Sequence, residues 1–282
     1  MGTVQTVRAA AVQMRCSGDR DDDLGRAADL VGRAAVDGAR LVVLPELFAS
    51  IGTNASMRAA AEPLQGPTVA WASELARTHA VHLVAGSFVE RDHDQLYNTS
   101  CLLAPDGSLV AHYRKVHLFD IDVAGAATRE SDTFSAGAGP VVAPLGEGGP
   151  GLGMTICYDL RFPELYRIEA LVGAAIITVP AAFTDATGKP HWELLLRARA
   201  VEDQVGIVAA AQWGTSPEGI ARHGHAMVVD SWGRVLADAG PEGDGLAVAD
   251  LDLADIEKNR TRLPSLANRR PSTYRWPDGV NV

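Results

Sequence analysis

The chain has 282 residues, 47% of them hydrophobic, and a formal net charge of −10. This length and composition suit one large domain spanning residues 1–282, with ample apolar side chains for its core. The negative charge argues against nucleic acid as a partner, because a phosphate backbone is bound by clustered lysine and arginine. No apolar run approaches the length of a membrane span, so we expect no membrane partner.

The cysteines are Cys16, Cys101 and Cys157, too few for a disulfide framework in a chain of this length. Their spacing matches no metal site, so we expect no metal and a location in the reducing cytoplasm. The glycine pattern of dinucleotide sites does not follow any predicted strand, and no cofactor is expected. The expected partner is therefore a small molecule.

The first two predicted strands lead to the first candidate residue. Residues 7–14 form an apolar run typical of a buried strand, and acidic residues 19–23 begin a helix that Gly38 ends. Residues 39–44 predict a second buried strand that runs directly into Glu46. A carboxylate at the carboxyl end of a buried strand lies where α/β folds place catalytic groups. The alternative is an exposed loop glutamate, the commoner situation for this residue type.

A hairpin carries the second candidate, Lys115. The patterns predict, in order, a helix over 67–79 and strands over 81–88, 96–103 and 108–113. Residues 105–107, Pro-Asp-Gly, are strong turn chemistry between the last two strands, and Lys115 follows the second of them. Taken alone, Lys115 is more often a solvated lysine, because lysines rarely lose solvent. Residues 121–150, which include Glu130, predict a long loop, and such loops often belong to sites.

The third candidate, Cys157, lies between a short strand that starts at Gly151 and a helix that starts at Pro163. A thiol near a helix N-terminus is expected to have a lowered pKa, and free backbone N–H groups there can hold an oxyanion. The alternative is a small buried hydrophobic residue, which free cysteines usually are.

The rest of the chain completes an α/β pattern. It predicts helices over 191–203 and 253–262 and strands over 174–179, 206–211, 226–230, 234–237 and 245–251. Strands alternating with helices and joined to hairpins indicate a layered α/β domain with two sheets inside and helices outside. Residues 263–282 are polar and proline-bearing, and this tail is expected to wrap the domain or a partner subunit.

Three segments together resemble the nitrilase superfamily of carbon–nitrogen hydrolases. They are 44–48 (LPELF), 113–120 (YRKVHLFD) and 156–165 (ICYDLRFPEL), and the superfamily has its glutamate, lysine and cysteine in this order. Residues 191–200 and 209–212, with Gly224-His225, further resemble the Nit-type amidases. The resemblance implies a four-layer αββα sandwich and a homodimer, or a higher homo-oligomer, formed through outer helices and the tail.

The resemblance also implies the catalytic roles. Cleavage of an unreactive amide needs a nucleophile, a base and positive charge near the carbonyl oxygen. Cys157 is then the nucleophile and Glu46 the base, while Lys115 and the Tyr158 backbone N–H hold the oxyanion. Glu130 matches an additional glutamate that orients the lysine and the substrate or water. The expected reaction hydrolyses a small carboxylate-bearing amide through a thioester and releases ammonia.

Substrate recognition is the least constrained part of this hypothesis. Arg161 is the candidate for binding a carboxylate, because its planar fork matches one, and an ion pair with Glu164 is the alternative. Phe183 and Thr187 are expected to line the same pocket. The same residues could act on an N-carbamoyl compound or a nitrile, and a non-catalytic binding or assembly protein is the alternative of a different class.

Overall fold

The computed structural model describes residues 6–123 and 126–274, in which helices cover a large curled sheet. The helices are α1 (Arg20–Val36), α2 (Asn54–Ala59), α3 (Pro67–His79), α4 (Pro163–Leu171), α5 (Asp185–Asp203) and α6 (Leu253–Arg262). The strands are β1 (Thr6–Met14), β2 (Leu41–Val43), β3 (His82–Val84), β4 (Phe88–Asp92), β5 (Gln95–Leu103), β6 (Leu109–Arg114), β7 (Asp120–Val123), β8 (Ala126–Arg129), β9 (Val141–Pro144), β10 (Gly151–Met154), β11 (Ala174–Ala181), β12 (Gly206–Thr215), β13 (Ala221–His223), β14 (Met227–Val229), β15 (Val235–Asp238) and β16 (Gly245–Asp252). Within the described residues, every helix is too short or too polar to cross a membrane.

Strand β1 joins the two halves of the sheet. One half has the order β4-β5-β3-β2-β1, with β6 on β5 and β16 on β1, and the other has the order β12-β11-β10-β9, with β14 on β12. Strand β1 pairs antiparallel with β16 from Thr6 to Gln13 and then parallel with β12 at Gln13 and Met14. The hydrogen-bonded sheet is therefore continuous, but it turns back on itself where β1 changes partner.

Side chains along β1 alternate between two cores, as the period of a strand requires. Ala9 and Ala11 pack in one core with Ile177 of β11, so this core lies between the two halves of the sheet. Ala10 and Val12 pack in the other core, which includes side chains of α1 and α3. Helices α4 and α5 contact β11 and β12 on the far side. The predicted four-layer αββα sandwich of the nitrilase type is confirmed.

The predicted bounds of helices and strands agree best with the structure where the hydrophobic periodicity is uninterrupted. The helices predicted over 67–79 and 253–262 have those bounds in the structure. The single strand predicted over 81–88 is wrong, because β3 ends at Val84 and β4 begins at Phe88. Gly86 between them has a φ of 50°, and a Cβ there would collide with the Pro45 carbonyl oxygen. The chain turns here to pass closely under the residue that precedes Glu46.

Two further predictions are corrected. The helix predicted over 191–203 begins earlier, at Asp185, despite Pro190 in its interior. Gly188 interrupts the helical pattern in the sequence and so obscured the first part of this helix. Glycine is needed at this position because any Cβ would collide with the His223 ring. The loop predicted over 121–150 contains the β7–β8 hairpin and β9, which pairs antiparallel with β10.

The predicted tail is only partly described. Residues 263–274 include one short 3-10 turn, Pro271–Thr273, and are mostly exposed. Residues 275–282 lie outside the described residues. That the tail wraps the domain or a partner subunit stays a prediction.

Candidate active site

The structure brings the predicted glutamate, lysine and cysteine together in one cavity of about 490 Å³. Glu46 follows β2, Lys115 follows β6 and Cys157 follows β10, so each lies just beyond the carboxyl end of a strand. Glu130, in the 3-10 turn after β8, lines the same cavity. These four side chains come from separate parts of the chain, and the layered fold is what brings them together.

Glu46 is buried and is held by several hydrogen bonds. Its Oε1 accepts from Lys115 Nζ and from Asn98 Nδ2, both at 2.9 Å, and its Oε2 accepts from the Ala182 backbone N–H at 3.0 Å. Gln212 Nε2 donates to its carbonyl oxygen at 2.7 Å. Burial opposes the charged form, but the charge of Lys115 and the hydrogen bonds from Lys115 and Asn98 outweigh it and lower the pKa of Glu46. The carboxylate is therefore charged at neutral pH.

Lys115 lies between two carboxylates, with 2% of its side chain exposed. Its Nζ donates to Glu130 Oε1 at 3.0 Å and Oε2 at 2.8 Å, in addition to its contact with Glu46. Burial alone would lower the pKa of this amine, but the charges of Glu130 and Glu46 raise it well above its ordinary value. The result is a buried row of alternating charge, negative, positive and negative.

Glu130 is fixed in that row by two further donors. Its Oε1 accepts from Asn98 Nδ2 at 3.1 Å, and its Oε2 accepts from the Phe119 backbone N–H at 2.6 Å. Asn98 therefore donates to both carboxylates that flank Lys115.

Cys157 adopts a strained backbone conformation. Its φ is 48°, a left-handed value that costs a non-glycine residue about 1–2 kcal/mol. It begins a 3-10 turn, Cys157–Arg161, that separates β10 from α4. A sharp turn at this point aims the side chain into the cavity, where the residue is 7% exposed.

The expectation of a lowered thiol pKa is wrong. Burial and the negative charge of Glu46 raise the pKa of Cys157 well above its ordinary value, and Lys115 and the Ala182 N–H only partly offset them. Helix α4 begins only at Pro163, so its N-terminus is not at the thiol. The resting pair is therefore a neutral thiol beside a charged carboxylate.

Asp159 anchors the turn that carries Cys157. Its carboxylate is fully buried and accepts from Tyr113 Oη at 2.7 Å and from the backbone N–H groups of Ile156 at 2.8 Å and His117 at 3.0 Å. Because Tyr113 and His117 flank Lys115, this one side chain connects the turn of the cysteine to the segment of the lysine.

The residues predicted to hold the oxyanion or the substrate are only partly in the cavity. Tyr158, Phe183 and Thr187 line the cavity, whereas Arg161 is not among the lining residues. The Arg161 guanidinium lies 5.4 Å from the Phe183 ring centre and 5.8 Å from that of Tyr158, and its Nη1 is 3.3 Å from Nδ1 of His191. Within the described residues it forms no ion pair with Glu164. The roles assigned to these residues stay predictions.

Sequence reasoning missed several polar groups of the cavity. Asn98 lies within a predicted strand and is 1% exposed. A polar residue inside an apolar strand that pairs with the strand before Lys115 was a usable signal. Arg222 and Glu218 also line the cavity, and no local pattern marked them. In residues 6–123 and 126–274, no group of three or more His, Cys, Asp or Glu side chains could hold a metal ion.

The fold agrees with that of known proteins. Residues 8–261 match the model of the carbon-nitrogen hydrolase family, and the chain belongs to that family. The residues that resembled the nitrilase superfamily are thereby explained, and the predictions of family and enzyme class are confirmed. The protein is an amidase-type carbon–nitrogen hydrolase of the Nit branch.

Its relatives carry two names. The chain is 41% identical to deaminated glutathione amidase of Mus musculus over 271 residues, 94% of this chain and 84% of the relative. It is 40% identical to omega-amidase NIT2 of Mus musculus over 272 residues, 96% of this chain and 98% of the relative. Among solved structures, Saccharomyces cerevisiae Nit3 is 34% identical with a TM-score of 0.85, covering 96% of this chain and 97% of the other.

Proposed function

We propose that this amidase is cysteine-dependent and hydrolyses a small carboxylate-bearing amide through a thioester, with release of ammonia. The observation that carries the proposal is the buried pair of a charged Glu46 and a protonated Cys157 thiol, beside the Lys115 ammonium. The names of the relatives support the substrate class, because omega-amides and deaminated glutathione both present an amide on a small carboxylate-bearing molecule.

In the first half-reaction, Glu46 takes the thiol proton as the sulfur of Cys157 attacks the amide carbon. The negative charge moves from the carboxylate to the carbonyl oxygen, where Lys115 and the Tyr158 backbone N–H stabilise it. Proton transfer is coupled to attack because the free thiolate is unfavourable in this buried position beside Glu46. The protonated Glu46 then gives its proton to the nitrogen, and ammonia leaves.

In the second half-reaction, a water molecule replaces the ammonia. Glu46 removes a proton from this water as its oxygen attacks the thioester carbon, and the same donors hold the second oxyanion. The tetrahedral intermediate collapses with loss of the cysteine sulfur, which regains the proton from Glu46. One carboxylate thus serves both steps, which requires that its position not change between them.

The hydrogen bonds around Glu46 support this requirement. Asn98 and the Ala182 N–H hold the two oxygens of the carboxylate from different sides. Glu130 holds Lys115, so the ammonium stays charged and close to Glu46 while the oxyanion forms. Glu130 is therefore proposed as a positioning residue for the lysine and for substrate or water.

The experiment that tests this function measures ammonia release from omega-amides, N-carbamoyl compounds and nitriles, and release of the peptide amine from deaminated glutathione, whose amide nitrogens are secondary. Wild type is compared with Cys157→Ala, and Cys101→Ala serves as the matched control because Cys101 is buried outside the cavity. We expect release from a carboxylate-bearing amide that disappears only in Cys157→Ala, with an acyl adduct on Cys157 by mass spectrometry. No release and no adduct with any compound contradicts the proposal.

We further propose that residues 1–282 form one carbon–nitrogen hydrolase domain, that it forms a homodimer and that it works in the cytoplasm. The dimer is supported by large apolar side chains exposed on α4 and α5, which pack side by side. These side chains are Ile168, Leu171, Leu194 and Val201. The cytoplasmic location is supported by the three cysteines, which are all free and buried.

A further inference from the structure

A second buried cation lines the cavity beside the proposed catalytic residues. Arg222 belongs to β13, which pairs antiparallel with the end of β12, and its side chain is 8% exposed. Its Nη1 donates to the Ala182 carbonyl oxygen at 2.8 Å, and its Nη2 is paired with Glu218. Its Nε–H is buried and has no hydrogen-bond partner among the described residues. A buried charged donor without a partner is costly, so the protein's own groups leave part of the hydrogen-bonding capacity of this guanidinium unused.

Arg222 lies near Glu46, because Ala182 is hydrogen-bonded to both side chains. The Ala182 N–H donates to Glu46 Oε2 at 3.0 Å, and the Ala182 carbonyl accepts from Arg222 Nη1 at 2.8 Å. Since the N and O atoms of one residue are at most about 3.6 Å apart, Glu46 Oε2 and Arg222 Nη1 are no more than about 9.5 Å apart. A chain of four or five carbon atoms spans roughly 5–6 Å. A short amide held at Cys157 can therefore reach the guanidinium with its far end.

The charges of the cavity favour Arg222 over the other cations. Lys115 is committed to its two carboxylates, and Arg129 is exposed. Arg161 lies outside the lining, next to the rings of Tyr158 and Phe183. The carboxylates that line the cavity would repel an anionic substrate, so a carboxylate needs a cation at the point where it binds. They are Glu46, Glu130, Asp132 and Glu218.

We propose that Arg222 binds the carboxylate of the substrate and so selects carboxylate-bearing amides. The inference rests on the proposed amidase function and adds the residue that reads the far end of the substrate. The Ala182 carbonyl and Glu218 hold the two terminal nitrogens, which fixes the plane of the guanidinium. The remaining N–H groups of the fork can donate to two carboxylate oxygens.

The test compares two amides of equal length, glutaric acid monoamide and pentanamide, in wild type, Arg222→Gln and Arg222→Lys. For the monoamide we expect kcat/KM of Arg222→Gln to fall by about 10- to 100-fold, mainly through KM, because a charged hydrogen bond is lost. For pentanamide the change should stay within about twofold, since it makes no such bond. Arg222→Lys should keep part of the preference for the monoamide over pentanamide. Glutarate binding, measured by calorimetry, should weaken by the same factor as kcat/KM, and this readout does not depend on turnover.

Arg234→Gln is the matched control. Arg234 also pairs with a carboxylate four residues earlier, Asp230, but its side chain is 68% exposed and it does not line the cavity. Arg234→Gln should leave kcat/KM for both amides, and the binding of glutarate, unchanged. The assignment is overturned if Arg222→Gln lowers kcat/KM equally for both amides and leaves glutarate binding unchanged. It is also overturned if Arg161→Gln, and not Arg222→Gln, lowers kcat/KM for the monoamide alone. Wild type that releases ammonia from neither amide and forms no acyl adduct overturns the amidase function itself.

Discussion

Lys115 Nζ donates to Glu46 Oε1 at 2.9 Å, and both side chains are almost wholly removed from solvent. Two opposite charges at this distance in a buried site stabilise each other strongly, and each shifts the pKa of the other toward its charged form. The negative charge of Glu46 in turn makes the Cys157 thiol harder to ionise, and the positive charge of Lys115 offsets this effect only in part. Resting protonation states in this site therefore depend on each other.

Replacing Glu46 by Gln should have opposite effects on thiol acidity and on turnover. Removing the negative charge lowers the pKa of Cys157, which burial and Glu46 raise in the wild type. Removing the base lowers kcat by about 10²- to 10⁴-fold. The thiolate ultraviolet absorbance measured against pH, with Cys157→Ala as background, checks the first effect. A thiol that titrates at a higher pH in Glu46→Gln contradicts the electrostatic account.

Replacing Lys115 by Met should destabilise the protein by about 3–5 kcal/mol, because it leaves Glu46 and Glu130 buried without their cation. The folded pKa of Glu46 is lowered from 4.5, so its contribution to stability is present above that pH and lost as pH falls through the lower folded value. Lys115→Met removes this contribution, so the full loss of denaturant stability is expected above about pH 5 and a smaller loss at lower pH. Lys258→Met, at an exposed lysine, is the control and should stay within about 0.5 kcal/mol.

The positive φ of Cys157 predicts an unusual ranking of substitutions. Cys157→Gly should be more stable than Cys157→Ala by about 1 kcal/mol, because glycine adopts a left-handed backbone without a Cβ clash. At Cys101, inside β5, the ranking should be reversed, since glycine weakens a strand interior. Thermal unfolding of the four variants measures both differences. The same ranking at the two positions would show that the turn at Cys157 is not strained.

Glu169 on α4 is fully buried, and burial raises its pKa well above the ordinary value of 4.5. Its contribution to stability is therefore present below pH 4.5 and is lost as pH rises through the raised folded pKa. Glu169→Gln, a neutral side chain of the same shape, should increase stability at pH 8 by about 1–3 kcal/mol and much less at pH 4. Glu164→Gln, at an exposed position of the same helix, is the control. An equal gain at both pH values would contradict the proton linkage.

The proposed dimer can be tested at the outer face of α5. Leu194 is 65% exposed there, and Leu194→Glu should give a monomer by light scattering where the wild type is a dimer, because the new charge would be buried without a partner. Val36→Glu, at an 88% exposed residue of α1, should stay dimeric. A wild-type monomer, or a dimer unaffected by Leu194→Glu, contradicts the proposed interface.

Periodicity predicted the layered α/β domain, and the resemblance of three local motifs to the nitrilase superfamily predicted that Glu46, Lys115 and Cys157 act together. Neither predicted what depends on distant residues. The raised pKa of Cys157 follows from the charge of Glu46 on another strand. The donors from Ala182 and Arg222 depend on how β11 and β13 meet, and no spacing within one segment encodes that contact.

The position of β1 also determines when the protein can fold during synthesis. This strand is made first, but it pairs along most of its length with β16 and at its end with β12. Neither partner exists when β1 emerges, because β2 to β11 are made before β12 and β16, so one edge of β1 stays open during that interval. The two halves of the sheet can therefore join only after β12 and β16 have emerged, and a shorter nascent chain exposes an aggregation-prone strand edge instead.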